Sequence, residues 1–205
     1  MNKNLAAALS GCAVLVLALS GCSSDDKGAK VNDWAKTFCD QAQPQIQKRA
    51  AANQLIISTA ADSKPETIKA ADSKAFADIA AADRALAKAV ESAGAPPVDN
   101  GEKIQQDAIK QFNATAVAYE GLKKQVDALD TTNQQKFADG LKAVSEGLGK
   151  IQNMDQDAVA KLQAGELGAA MAKQPGCQTP SASPKAGAPK AGSTPVTKST
   201  ASAKP

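Results

Sequence analysis

Apolar residues recur at steps of three and four along almost all of residues 31–171, and no stretch sustains the alternation of two that a strand requires. That spacing limits the chain to helices with one dry face each. Val31, Trp34, Ala35, Phe38, Ala42, Ile46, Ala50, Asn53, Ile56 and Ile57 predict a first helix over 31–60. Pro44 lies inside it, so a kink near 40–43 or a fresh start at Pro44 is expected. Ser63, Pro65 and Glu66 combine a capping serine, an early proline and a first-turn acid, the signal for a second helix. Its stripe runs from Ile68 through Phe76, Ile79 and Leu86 to Val90, and Gly94, Pro96 and Pro97 stop it.

Asp99 and Glu102 repeat the capping pattern before Ile104, Ala108, Phe112, Thr115, Tyr119, Leu122, Val126 and Leu129. Asp130, Thr131 and Thr132 end this third helix and are expected to cap a fourth through Phe137, Leu141, Val144, Leu148 and Ile151. Gly140, Gly147 and Gly149 each lower the intrinsic helix propensity there by about 1 kcal/mol relative to alanine, so packing must hold it. Asn153, Met154 and Asp155 read as a break, with Asp155 capping a shorter last helix through Val159, Leu162, Leu167 and Met171. Short connections favour antiparallel neighbours. The predicted fold is all-α: an antiparallel up-down four-helix bundle with a short extra C-terminal helix and disordered tails.

The start of the chain carries a different signal. Lys3 precedes an apolar run over 5–19, a length that suits a secretory leader and is too short to span a bilayer comfortably. The run closes on Leu19, Ser20, Gly21 and Cys22, whose small residues suit a peptidase pocket at the cut; the motif resembles the bacterial lipobox, in which the cysteine sulfur receives a diacylglyceryl group. Leu9, Ser10, Gly11 and Cys12 repeat the motif too early in the run to serve. Residues 1–21 are therefore expected to be a lipoprotein signal peptide and Cys22 the lipidation site, the alternative being plain cleavage and a soluble secreted product. Two or more acyl chains make membrane attachment stable where one does not.

With the leader gone, Cys22, Cys39 and Cys177 remain, an odd number for an exported chain. If Cys22 is a thioether, Cys39 and Cys177 form a disulfide; two buried free thiols are the alternative. Closing so long a loop stabilises by roughly 4–5 kcal/mol in the chain-entropy treatment. The expected organisation is a polar tether over 22–30, a helical domain over 31–177, and a disordered Pro-, Ala- and Lys-rich tail over 178–205.

The chain has no histidine, which removes the commonest general base, the Ser-His-Asp arrangement and the helical zinc motif together. No metal site and no cofactor are expected. Asp72, Asp83, Asp127 and Asp139 alternate with lysines and arginines and read as parts of solvated helix faces. The net charge of +3 includes Lys3 and the tail's Lys185, Lys190, Lys198 and Lys204, so the folded region holds no basic excess, and aromatics are scarce. Nucleic-acid binding is not expected.

The lipobox at Leu19 to Cys22, the Trp34-x-x-x-Phe38-Cys39 opening and the Pro175-Gly176-Cys177 close resemble a family of small exported actinobacterial lipoproteins of unassigned role. That resemblance implies location and fold, and carries no catalytic residues. Function is accordingly expected to be that of a non-enzymatic, lipid-anchored module on the extracellular face of the cell membrane. Its partners would be the membrane, through the anchor, and an envelope protein or an anionic wall polymer. The second expectation is a carrier or sensor for an apolar small molecule, in a pocket lined by Phe76, Phe112, Tyr119 and Phe137.

Overall fold

The computed structural model describes residues 22–60 and 64–178, with 22–25 and 155–159 described as backbone only. The leader expected over 1–21, the capping role expected of Ser63 and the tail expected to be disordered lie outside the described residues, save for Gln178. The described chain is all-helical, without a strand: α1 Cys22–Ala60, α2 Pro65–Ala93, α3 Gly101–Asp127, α4 Gln134–Leu162, α5 Gly165–Met171 and a 3-10 turn Pro175–Cys177.

α1 begins nine residues before the predicted start, so 22–30, expected as a tether, is helical. The extension adds to a helix already pinned by the buried Val31 and Trp34, and propagation is far cheaper than nucleation. Asp26 and Lys30 form an i,i+4 pair at 3.5 Å, and Asn32 Nδ2 donates to the Gly28 carbonyl at 2.8 Å. Pro44 neither ends nor restarts the helix. Ala42 on one side and Ala52 on the other are both packed, and that packing outweighs the hydrogen bond proline removes.

The expected break at Asn153 to Asp155 is also absent. α4 runs on to Leu162 because Ile151 and Leu162 are both buried, while Gln111 of α3 donates to the Met154 carbonyl. The chain turns instead at 163–164, and Gly165, at φ 57°, opens α5.

The caps differ from expectation as well. Asn133, not the Asp130 group, caps α4: its Oδ1 accepts the Lys136 N–H at 3.0 Å. Asp130 Oδ1 accepts the Thr132 N–H at 3.0 Å and its hydroxyl at 2.6 Å, closing a local turn. α3 starts at Asn100 in the left-handed region without a side-chain cap, so Asp99 and Glu102 form no capping box. Gly101 follows because a Cβ there would collide with the Pro96 carbonyl.

Close packing joins α1 to α2, α2 to α3, α3 to α4, and α5 and the 3-10 turn to α1. Each consecutive pair of long helices meets in opposite senses. Trp34 reaches Gly94 across α1 and α2; Lys69 reaches Leu129 and Gln105 reaches Val90 across α2 and α3; Lys161 meets Asp107 across α3 and α4. The core forms two apolar clusters. One holds Val31, Trp34, Phe38, Leu86, Val90, Phe112, Leu162, Leu167 and Met171; the other holds Phe76, Ile79, Tyr119, Leu122, Val126, Val144 and Ile151. Alanines such as Ala35, Ala42, Ala75, Ala82 and Ala116 are fully buried, letting the helices approach closely.

Candidate functional site

The end of the molecule where α1 begins carries the features that the sequence singles out. Trp34 and Phe38 stack with ring centroids 5.5 Å apart, and Trp34 Nε1 donates to the Gly94 carbonyl at 2.8 Å, tying α1 to the stop of α2. One turn on, Cys39 and Cys177 are joined as a disulfide with Cα atoms 4.9 Å apart across a separation of 138 residues. Gly176 rests against the Cys39 carbonyl, where a Cβ would collide with backbone. Lys27 lies 3.8 Å from Asp99 and 4.0 Å from Glu166, so α1, the α2–α3 connection and α5 converge. Cys22 is the first residue of α1.

A groove of about 590 Å3 runs between α1 and α5 here, walled by Lys27, Val31, Asn32, Glu166, Ala170 and Lys173. A second, of about 500 Å3, lies at the opposite end between α2 and α3. There Lys69 donates to the Leu129 carbonyl at 3.0 Å, Ser73 donates to Asp127 at 2.6 Å, and Lys123 pairs with Asp127 at 2.6 Å. The Lys123 ammonium, then the Ser73 hydroxyl, hold the Asp127 carboxyl below the usual carboxylate range.

Asp83 and Thr115 form a polar level between the two apolar clusters, and two of the carboxylates expected on solvated faces, Asp83 and Asp72, are instead buried. Asp83, expected on a solvated face, is wholly buried and pairs with Arg49 of α1. Asp72 is 8 % exposed, and desolvation raises its carboxyl above the ordinary value. Asp127 and Asp139 are exposed as expected. Thr115 is fully buried on α3, and among the described residues its hydroxyl meets no hydrogen-bond partner.

The signal was in the register. Asp83 falls four residues after Ile79 and three before Leu86, and Arg49 three after Ile46 and three before Ala52. A carboxylate shut away from water and bonded to a guanidinium is placed to hold two helices together.

The four aromatic residues expected to line one pocket divide. Phe76 and Tyr119 are neighbours, 5.9 Å between centroids, in the cluster that includes Val126. Phe112 belongs to the cluster around Trp34, and Phe137 is buried in the first turn of α4. The two grooves described above are walled by other residues. Among the described residues no three His, Cys, Asp or Glu side chains converge as metal ligands, and no helix is long and apolar enough to cross a membrane. The chain matches no family model, no curated protein and no solved structure.

Proposed function

We propose that this chain is an exported lipoprotein, held at the extracellular face of the cell membrane by acyl chains on Cys22. In this reading it acts without catalysis, through contacts of its helical surface with an envelope protein or an anionic wall polymer. The observation that carries it is the pairing of Cys39 with Cys177. Of the three cysteines that follow the apolar leader, only Cys22 is then left to take a thioether. The same pairing belongs to an oxidising compartment, where unpaired thiols are a liability. The domain itself is proposed to be an up-down four-helix bundle, α1 to α4, with α5 as its short final helix; the opposite senses of consecutive helices and their short connections support that arrangement.

The test is expression of the full chain and of Cys22→Ala in an actinobacterial host. Detergent phase partitioning and intact mass of the purified protein are then compared. The wild type is expected in the detergent phase with the mass of a cleaved, diacylglyceryl-bearing chain, and Cys22→Ala in the aqueous phase without it. Identical mass and partitioning of the two would overturn the proposal.

A further inference from the structure

The segment after α4 is held to the rest of the molecule in an unusual way. α5 spans only Gly165–Met171, too short to be helical on its own. Beyond it the chain makes one 3-10 turn and ends its described course just past Cys177. Leu167, Ala170 and Met171 lie in the same apolar cluster as Val31, Trp34, Ala35 and Phe38 of α1, and Gly176 fits flush on the Cys39 carbonyl. Lys27 and Glu166 add only a long, exposed ion pair. The closest packing of α5 and the turn is on α1, and the cluster they share also takes in Leu86 and Val90 of α2 and Ala108 and Phe112 of α3.

We propose that 163–177 is a redox-releasable strap: reduction of the Cys39–Cys177 bond by a dithiol undocks it as a unit and uncovers the Trp34 and Phe38 face of α1, while α2 and α3 remain folded. Two large apolar side chains and a single turn's contacts then stand alone against the freedom regained by the whole segment. Cys39 is fully buried and Cys177 half-buried, which makes the Cys177 sulfur the point of attack. The entering thiolate forms a mixed disulfide with Cys177 and expels Cys39 as thiolate. The dithiol's second sulfur, as thiolate, then displaces Cys177. The two protons of the dithiol end on Cys39 and Cys177, and the reductant leaves as its own disulfide.

The experiment is hydrogen exchange by mass spectrometry on the full chain, with and without dithiothreitol, followed alongside emission from Trp34, the sole tryptophan. The expected result is an increase of tenfold or more in exchange over 165–177, a red shift of Trp34, unchanged α2 and α3 amides, and full reversal on reoxidation. The double variant Cys39→Ser/Cys177→Ser should reproduce the reduced state without reductant. Unchanged exchange over 165–177 would show that apolar contacts alone hold the segment. Faster exchange in every helix would show that the bond clamps the whole fold. Either result overturns the proposal.

Discussion

Asp72 sits in α2 with 8 % of its surface exposed, and desolvation lifts its pKa above the ordinary 3.8. A folded state that binds this proton more tightly than the unfolded chain loses stability as pH rises through and beyond 3.8. Asp72→Asn is therefore expected to raise the Tm at pH 7, with the gain fading as pH approaches 3.8 from above; a pH series of thermal melts measures it. Asp107 and Asp130 act in the opposite direction. The Lys103 ammonium lowers the first and the Thr132 hydroxyl the second, so their contributions hold at neutral pH and fade on acidification. Arg49 and Asp83 call for a different comparison. Arg49→Met takes the guanidinium away from a buried carboxylate and should cost roughly 3 kcal/mol, whereas Arg49→Met with Asp83→Leu should recover most of it. Urea titration of both variants decides the matter, and equal losses would mean that the pair itself supplies net stability. The cysteine pairing was legible at this scale because an odd count leaves few options. The burial of Asp72 and Asp83 was not, because residue type alone says "surface". Their places on the stripe, Asp72 midway between Ile68 and Phe76, said otherwise.

Glycines explain how α4 is seated on α3. Gly140 and Gly147 are seven residues apart on one face, and the side chains of Leu129 and Leu122, also seven apart, lie where a Cβ on each would stand. The weak propensity noted in the sequence is thus a pair of sockets for two leucines. Gly149, with open space at its Cβ position, serves no such purpose. Gly149→Ala should stabilise by about 1 kcal/mol through helix propensity alone. Gly147→Ala should gain less or lose, since Leu122 must move to admit the methyl, an overpacking cost of about 1–3 kcal/mol. Chemical denaturation of the two variants separates them, and equal gains would sink the socket reading. The existence and type of every long helix followed from periodicity. Their ends did not, because tertiary contacts set them: the docked Val31 and Trp34 carry α1 back to Cys22, and the Gln111 bond to Met154 carries α4 through a segment rich in breakers.

Across the whole molecule, the close pairs run in chain order, α1 on α2, α2 on α3 and α3 on α4, with the strongest packing between α2 and α3. α4 thus leans chiefly on α3, and its link to α1 passes through the shared cluster of Ala52, Leu55, Ile56, Val144 and Ile151. α1 is clasped a second time, by α5 and the disulfide. Local opening follows the weakest boundary of buried apolar contact, so α4 should open before the rest. Native-state hydrogen exchange in low urea is expected to rank protection as α2 and α3 first, then α1, with α4 lowest among the long helices. Val144→Ala should lower protection in α4 more than in α2, because Val144 is 3 % exposed and bridges to that shared cluster. Amides of α4 that exchange only through global unfolding, in step with α2, would instead mean that α1 and α4 close a fourth wall as firm as the other three. That outcome would strengthen the proposed four-helix closure, and the ranked outcome would make α4 the wall that opens first.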